Sequence, residues 1–263
     1  MTCIIPAHAG LPNITLLITS DENEAAHFIE GWKGSYHFGL DLEWKPCFQK
    51  GQYSRVATLQ VCAGPWVLVF DAKASRRKIA QPLPDALWYF LENEEHCFYG
   101  MGLLEDAARL AFEFDCVING IDFAQGRAWS DEIQLGGGLT GLANRALGTT
   151  VKQSSKITLS NWDARPLSEE QLRYLAEDAY LSWALARYFI KKEFPREDWL
   201  LPVAAMYGRG KDIIDAGCSI PTPVHNWTIA QEEHASMERE KKAVQNAKKS
   251  AKKKMKQQQR LQQ

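Results

Sequence analysis

The pattern of apolar and polar positions divides the chain into elements of two periods. Runs at 14–19, 36–44, 55–63, 66–70, 97–99 and 116–123 are short, apolar and rich in β-branched and aromatic residues, which predicts strands. Between them, 25–32, 85–94 and 103–114 repeat apolar residues at helical spacing. Ser20-Asp21-Glu22-Asn23-Glu24 supplies capping chemistry for the first of these helices, and Ala63-Gly64-Pro65 is a turn signal between two strands. After Gly136-Gly137-Gly138, residues Leu139, Leu142, Ala143, Ala146 and Leu147 again recur at helical spacing. The strongest helix runs from 168 to 192, with Ser168 as N-cap, Gln171 completing a capping box, and Pro195 just past the end. Strands in hairpin order followed by alternating helices and strands predict an α/β fold, a mixed sheet with flanking helices.

This pattern divides the chain into an arm (1–13), a folded domain (14–193), an extension that packs on the core (194–230) and a Lys/Gln-rich tail (231–263). The tail lacks a hydrophobic face, which predicts a solvated helix or disordered chain. With 263 residues, 45% hydrophobic and 24% charged, the composition is that of a globular protein and excludes collagenous and disulfide-stapled classes. No apolar run approaches the ~18 residues of a membrane span, and the first residues lack the pattern of a signal peptide. The six cysteines are scattered, so disulfides are not expected, and no Cys/His spacing suggests zinc. A soluble, intracellular protein is expected. The net charge of −1 hides an asymmetry: residues 241–263 carry nine Lys/Arg and no acid, leaving 22 basic against 32 acidic residues in 1–240.

Three anomalies carry chemistry. Within Phe38-Gly39-Leu40-Asp41-Leu42-Glu43-Trp44, Asp41 and Glu43 are two residues apart, hence on one face of an apolar strand. Like charges there repel and lose hydration, unless the face is solvated or a hard divalent cation such as Mg²⁺ or Mn²⁺ neutralises them. Tyr174 and Asp178 are one turn apart on the strong helix, on the face that also holds Leu181, Leu185 and Tyr188. An inward carboxylate there wants a hydrogen bond or a metal. Asp106 follows Gly100-Met101-Gly102 in a first helical turn, a position that also suits the helix dipole. Together Asp41, Glu43, Asp106 and Asp178 are four acids on three elements that a compact sheet would bring together, the donor set for two-metal phosphodiester hydrolysis.

In these motifs the chain resembles the DEDD superfamily of 3′→5′ exonucleases, in the branch whose third motif is Y-x-x-x-D. It is most similar to Werner-type exonuclease domains, with ribonuclease D more distant. The matching residues are Asp41-Leu42-Glu43-Trp44 with Pro46, Gly100-Met101-Gly102 with Asp106, and Tyr174 with Asp178. Supporting stretches are 56–61, 142–148 and 160–168. The resemblance implies a ribonuclease H-like fold with a five-stranded mixed sheet, three strands antiparallel. It implies two Mg²⁺ or Mn²⁺ ions, with Asp41 shared between them, Glu43 and Asp178 on the ion that binds the nucleophilic water, and Asp106 serving the second. Tyr174 would hydrogen-bond the nucleophile, while Leu42, Trp44 and Gly102 would contact substrate. The implied products are nucleoside 5′-monophosphates.

The implied partners are 3′ ends of single-stranded DNA or RNA, or of partial duplexes. An acidic body does not attract a polyanion, whereas the basic tail would. Its Lys248-Lys249 and Lys252-Lys253-Lys254 clusters also read as an import signal, which places the nucleus ahead of the cytoplasm. Trp44 or Trp129 offers a ring on which a terminal base would stack. An RNA-trimming enzyme and a non-catalytic binding module on the same fold are the competing readings.

Overall fold

The computed structural model describes residues 1–49, 52–75, 83–125 and 136–193. The extension, the basic tail and Trp129 lie outside the described residues. Seven strands form one mixed sheet: β1 (Thr2–Ile5), β2 (Ile14–Thr19), β3 (His37–Trp44), β4 (Val56–Ala63), β5 (Trp66–Phe70), β6 (Cys97–Gly100) and β7 (Gly120–Asp122). Their order is β1-β2-β5-β4-β3-β6-β7. The helices are α1 (Glu22–Glu30), α2 (Ala72–Ser75), α3 (Asp85–Leu91), α4 (Leu103–Phe114), α5 (Gly138–Leu147), α6 (Ser155–Thr158) and α7 (Glu169–Glu193).

The expected five strands are the contiguous block β5-β4-β3-β6-β7, with β3, β4 and β5 antiparallel and β6 and β7 parallel to β3. The count of five is corrected to seven, because β2 adds parallel to β5 and the arm itself supplies β1, antiparallel to β2. The run at 116–123 narrows to three strand residues, and the helix expected over 85–94 ends at Leu91, where Glu92 caps it.

The sheet separates two apolar layers. On one face Phe38, Leu40 and Leu42 of β3 pack with Trp32, Leu87, Phe90, Leu103, Leu110 and Phe114 from around α1, α3 and α4. On the other, α7 lays Leu175, Ala176, Ala179, Leu181, Leu185 and Phe189 onto the sheet. Each fully buried leucine is worth about 1.5–3 kcal/mol relative to exposure. Two signals in the sequence seat α7. Ser168 N–H donates to Gln171 Oε1 (3.0 Å) and Gln171 N–H donates back to Ser168 Oγ (3.2 Å), the expected capping box. At Gly39 the helix backbone approaches so closely that a Cβ would lie 2.1 Å from the Ala179 carbonyl oxygen and 2.6 Å from Trp183 N. No residue but glycine fits there, and the contact places the segment holding Tyr174 and Asp178 over β3.

Candidate active site

Strand alternation decides which β3 side chains meet α7. Leu40 and Leu42 belong to the far apolar layer, so Asp41 and Glu43 share the α7 face with Gly39. Across the β3–β4 ladder Asp41 pairs with Gln60, and Glu43 with Thr58. Gln60 and Thr58 are fully buried, and Gln60 Nε2 donates to Thr58 Oγ1 (2.6 Å). Asp106 reaches the same edge by another route. Strand β6 runs parallel to β3 and ends at Gly100, Gly102 turns the chain at φ 80°, and α4 begins at once. Ligand sites in sheets with parallel strands gather at these carboxyl ends.

The four acids sense one another. Burial pushes the Asp41 carboxyl well above the usual carboxylate range, and the Asp178 charge pushes it further. Glu43 is raised first by burial and then by Asp41, Asp178 and Asp106, and Asp106 by burial, Asp41, Glu105 and Asp122. Asp178 is pushed up by burial to about 6, against the lowering effect of its contacts with Gln153 and Tyr174. The structure brings Asp41, Glu43, Asp106 and Asp178 together as one electrostatically coupled group.

Tyr174 is 8% exposed, its ring packed 5.6 Å from that of Trp162. Burial and the charges of Asp178, Asp41 and Glu43 push its phenol far above the normal range, so it stays protonated and serves as a donor. Its hydroxyl faces Asp178 and the Thr158 side chain.

The residues expected to touch substrate are placed differently from one another. Leu42 is 3% exposed in the far core, so only its main chain is available to a substrate. One face of the half-buried Trp44 is covered by the Arg109 guanidinium, 3.6 Å from the ring centroid; the same group lies 5.1 Å from the Tyr53 ring. Arg109 also donates to Ser54 O (2.9 Å) and lowers the pKa of Asp106 one turn away. The Gly102 N–H donates to Asp122 Oδ1 (2.8 Å), and its Cβ position is open.

Two supporting residues escaped the sequence reading, and a third, Arg165, entered it only as part of the stretch 160–168. Gln153 Nε2 donates to Asp178 Oδ1 in a short hydrogen bond. Asp122 accepts from the Gly102, Leu104 and Ala124 amides and fixes the turn that aims Asp106. Arg165 forms a two-pronged ion pair with Asp71 (2.5 and 2.7 Å), tying the approach to α7 onto the end of β5. Asp122 did leave a trace, as an acid inside the apolar run Ile121-Asp122-Phe123.

The donor set fits divalent cations. It is all oxygen, which hard Mg²⁺ or Mn²⁺ prefers. Asp41 Oδ2 and Gln60 Oε1, neighbours across the ladder, are both buried acceptors without a donor. No three His, Cys, Asp or Glu side chains among the described residues already stand at shared-ligand distance, so holding an ion requires carboxylate rotamers to close in.

Residues 16–192 match the family of 3′-5′ exonucleases. The chain is 30% identical over 162 residues to a 3′-5′ exonuclease of Arabidopsis thaliana, covering 60% of this chain and 53% of that protein. It is 32% identical over 153 residues to the bifunctional 3′-5′ exonuclease/ATP-dependent helicase WRN of Mus musculus, covering 54% of this chain and 10% of that one. The chain thus spans about half or less of these relatives. In fold it is similar to Trypanosoma brucei RNase D, solved in complex with RNA U12. The TM-score there is 0.53 at 18% identity, covering 72% of this chain and 66% of the other.

Proposed function

Since the chain belongs to the 3′-5′ exonuclease family, we propose that it hydrolyses nucleic acid from the 3′ end and releases nucleoside 5′-monophosphates. The observation that carries this reading is the convergence of Asp41, Glu43, Asp106 and Asp178 at one sheet edge, with the orphaned Asp41 Oδ2 at its centre. Those four would hold two Mg²⁺ or Mn²⁺ ions. Bound there, the cations would neutralise the carboxylates and stabilise charge on the attacking and departing oxygens.

The chain's own residues do the rest. Tyr174, kept protonated, donates to Asp178 and offers a hydroxyl lone pair that accepts from, and so orients, the attacking water. Gln153 holds Asp178 in the rotamer that faces Asp41. Asp122 and Arg109 fix the position and acidity of Asp106. The Gly102 turn leaves open space for the terminal nucleotide, and Trp44, braced by Arg109, borders the Asp41–Glu43 strand. The basic run at 241–263 supplies long-range attraction for the polyanion and the import signal for a nuclear location.

The likeness to an RNase D solved with RNA favours RNA as a second substrate. The test is incubation of 5′-labelled single-stranded DNA and RNA with Mg²⁺, Mn²⁺ or EDTA. A ladder shortening from the 3′ end, abolished by EDTA, supports the reading and ranks the polymers. Intact polymers that remain bound would instead make the chain a binding module.

A further inference from the structure

Beside the carboxylates lies a cavity of about 590 Å³ that the mechanism leaves unused. It falls within the ~300–1,000 Å³ range of ligand sites. Tyr174 lines it, as does Gln153, the partner of Asp178, so its wall is continuous with the catalytic edge. Its cations are Lys152, Lys156 and Arg173, all exposed, and the carboxylates of Glu169, Glu170 and Glu177 share its wall. None of the three cations has an ion-pair partner among the described residues.

For Arg173 this is unexpected. Glu169 and Glu177 stand four residues to either side of it on α7, the spacing at which ion pairs form. Glu177 is otherwise engaged: His8 Nε2 lies 2.7 Å from its Oε1, while His8 Nδ1 lies 2.8 Å from Pro6 O. The arm holding His8 also grips the loop that carries four of the cavity residues, Val151 to Ser154, since Thr150 N donates to Ala9 O (2.8 Å). The arm therefore does two things at once. It closes one side of the cavity, and it engages Glu177, one of the three carboxylates at helical pairing distance from Arg173.

We propose that this cavity carries the backbone of the single-stranded substrate next to the scissile bond, with Lys152, Lys156 and Arg173 binding its phosphates and His8 keeping Arg173 available. The inference rests on the exonuclease reading. Phosphate oxygens are the ligands these groups suit: guanidinium and ammonium donors without a protein acceptor, at the margin of a site built for a phosphodiester. The bases make no demand here, so DNA and RNA strands share the contact.

The test is equilibrium binding in EDTA, which separates it from turnover. The full chain is titrated against a fluorescent single-stranded oligonucleotide, as DNA and as RNA, between about 50 and 300 mM salt. Wild type is compared with Lys152→Ala/Lys156→Ala/Arg173→Ala and with a charge-matched control, Lys33→Ala/Lys73→Ala/Lys191→Ala. The cavity variant is expected to bind on the order of tenfold more weakly, with a log–log salt slope flatter by about 2, as loss of three phosphate contacts on a single strand requires. The control should retain the wild-type slope. His8→Ala, which releases Glu177 to Arg173, should weaken binding in part, and adding Glu177→Gln should restore it. A cavity variant with wild-type affinity and slope, or a control that matches the cavity variant, overturns the assignment. If wild type itself binds no single strand in EDTA, the cavity assignment falls, whereas the exonuclease reading falls only if the labelled strands also stay intact with Mg²⁺ or Mn²⁺.

Discussion

Neutralising Asp178 should change the pH dependence of stability in a way set by its burial. In the folded protein its pKa is raised from 3.8 to about 6, chiefly by desolvation. A carboxyl that holds its proton more tightly when folded contributes stability that is present below the unfolded pKa and lost as pH rises through the folded one. Two units correspond to about 3 kcal/mol. For a domain of this size that amounts to roughly 6–12 °C in Tm. Asp178→Asn keeps the shape and still accepts from Gln153, so its Tm lacks this component. In EDTA, the Tm difference between variant and wild type should therefore grow in the variant's favour by about 6–12 °C between pH 4 and pH 8. Adding Mn²⁺ at pH 8 should shrink it, because only the wild type regains the neutralised site. Differential scanning calorimetry across that range measures both. A difference that stays flat with pH would refute the reasoning, since Asp178 would then be solvated and not facing the other acids.

Tyr174→Phe leaves the ring packed on Trp162, so Tm should hold while turnover falls on the order of 10- to 100-fold with binding retained; steady-state kinetics decide this. Gly39→Ala forces a Cβ into the α7 backbone, and calorimetry with an activity assay should show about 1–3 kcal/mol of lost stability together with lost turnover. Arg165→Ala strands the Asp71 carboxylate and should cost about 3 kcal/mol, read as a lower urea midpoint. Cation binding near pH 7 should release protons from the coupled acids, whose burial favours the protonated form, seen as a buffer-dependent enthalpy in titration calorimetry.

The parts of this architecture that were legible in the sequence are those whose cause is local. The D-x-E pair announces its shared face through strand alternation, Tyr174 and Asp178 theirs through helical spacing, and Ser168 and Gln171 form the capping box their spacing promised. What escaped was set by contacts between distant residues. Gln153 meets Asp178 across 25 positions and Arg165 meets Asp71 across 94, and neither leaves a period or motif in the chain. Strand β1 escaped for a different reason: four residues give too short an alternation, and only pairing with β2 makes Thr2–Ile5 a strand. Trp44 shows the limit of a motif, because its neighbour Arg109 is visible only once α4 is folded against β3.

In the proposed reaction, water oriented at the Asp41–Asp178–Tyr174 edge attacks the terminal phosphodiester and expels the 3′ oxygen of the preceding nucleotide. The most direct measurement is hydrolysis of a single-stranded oligonucleotide in ¹⁸O-water with Mn²⁺, with mass spectrometry of the products. The account predicts nucleoside 5′-monophosphates carrying the label in the phosphate, and none from Asp41→Asn. Nucleoside 3′-monophosphates, or equal product from the Asp41 variant, would contradict it.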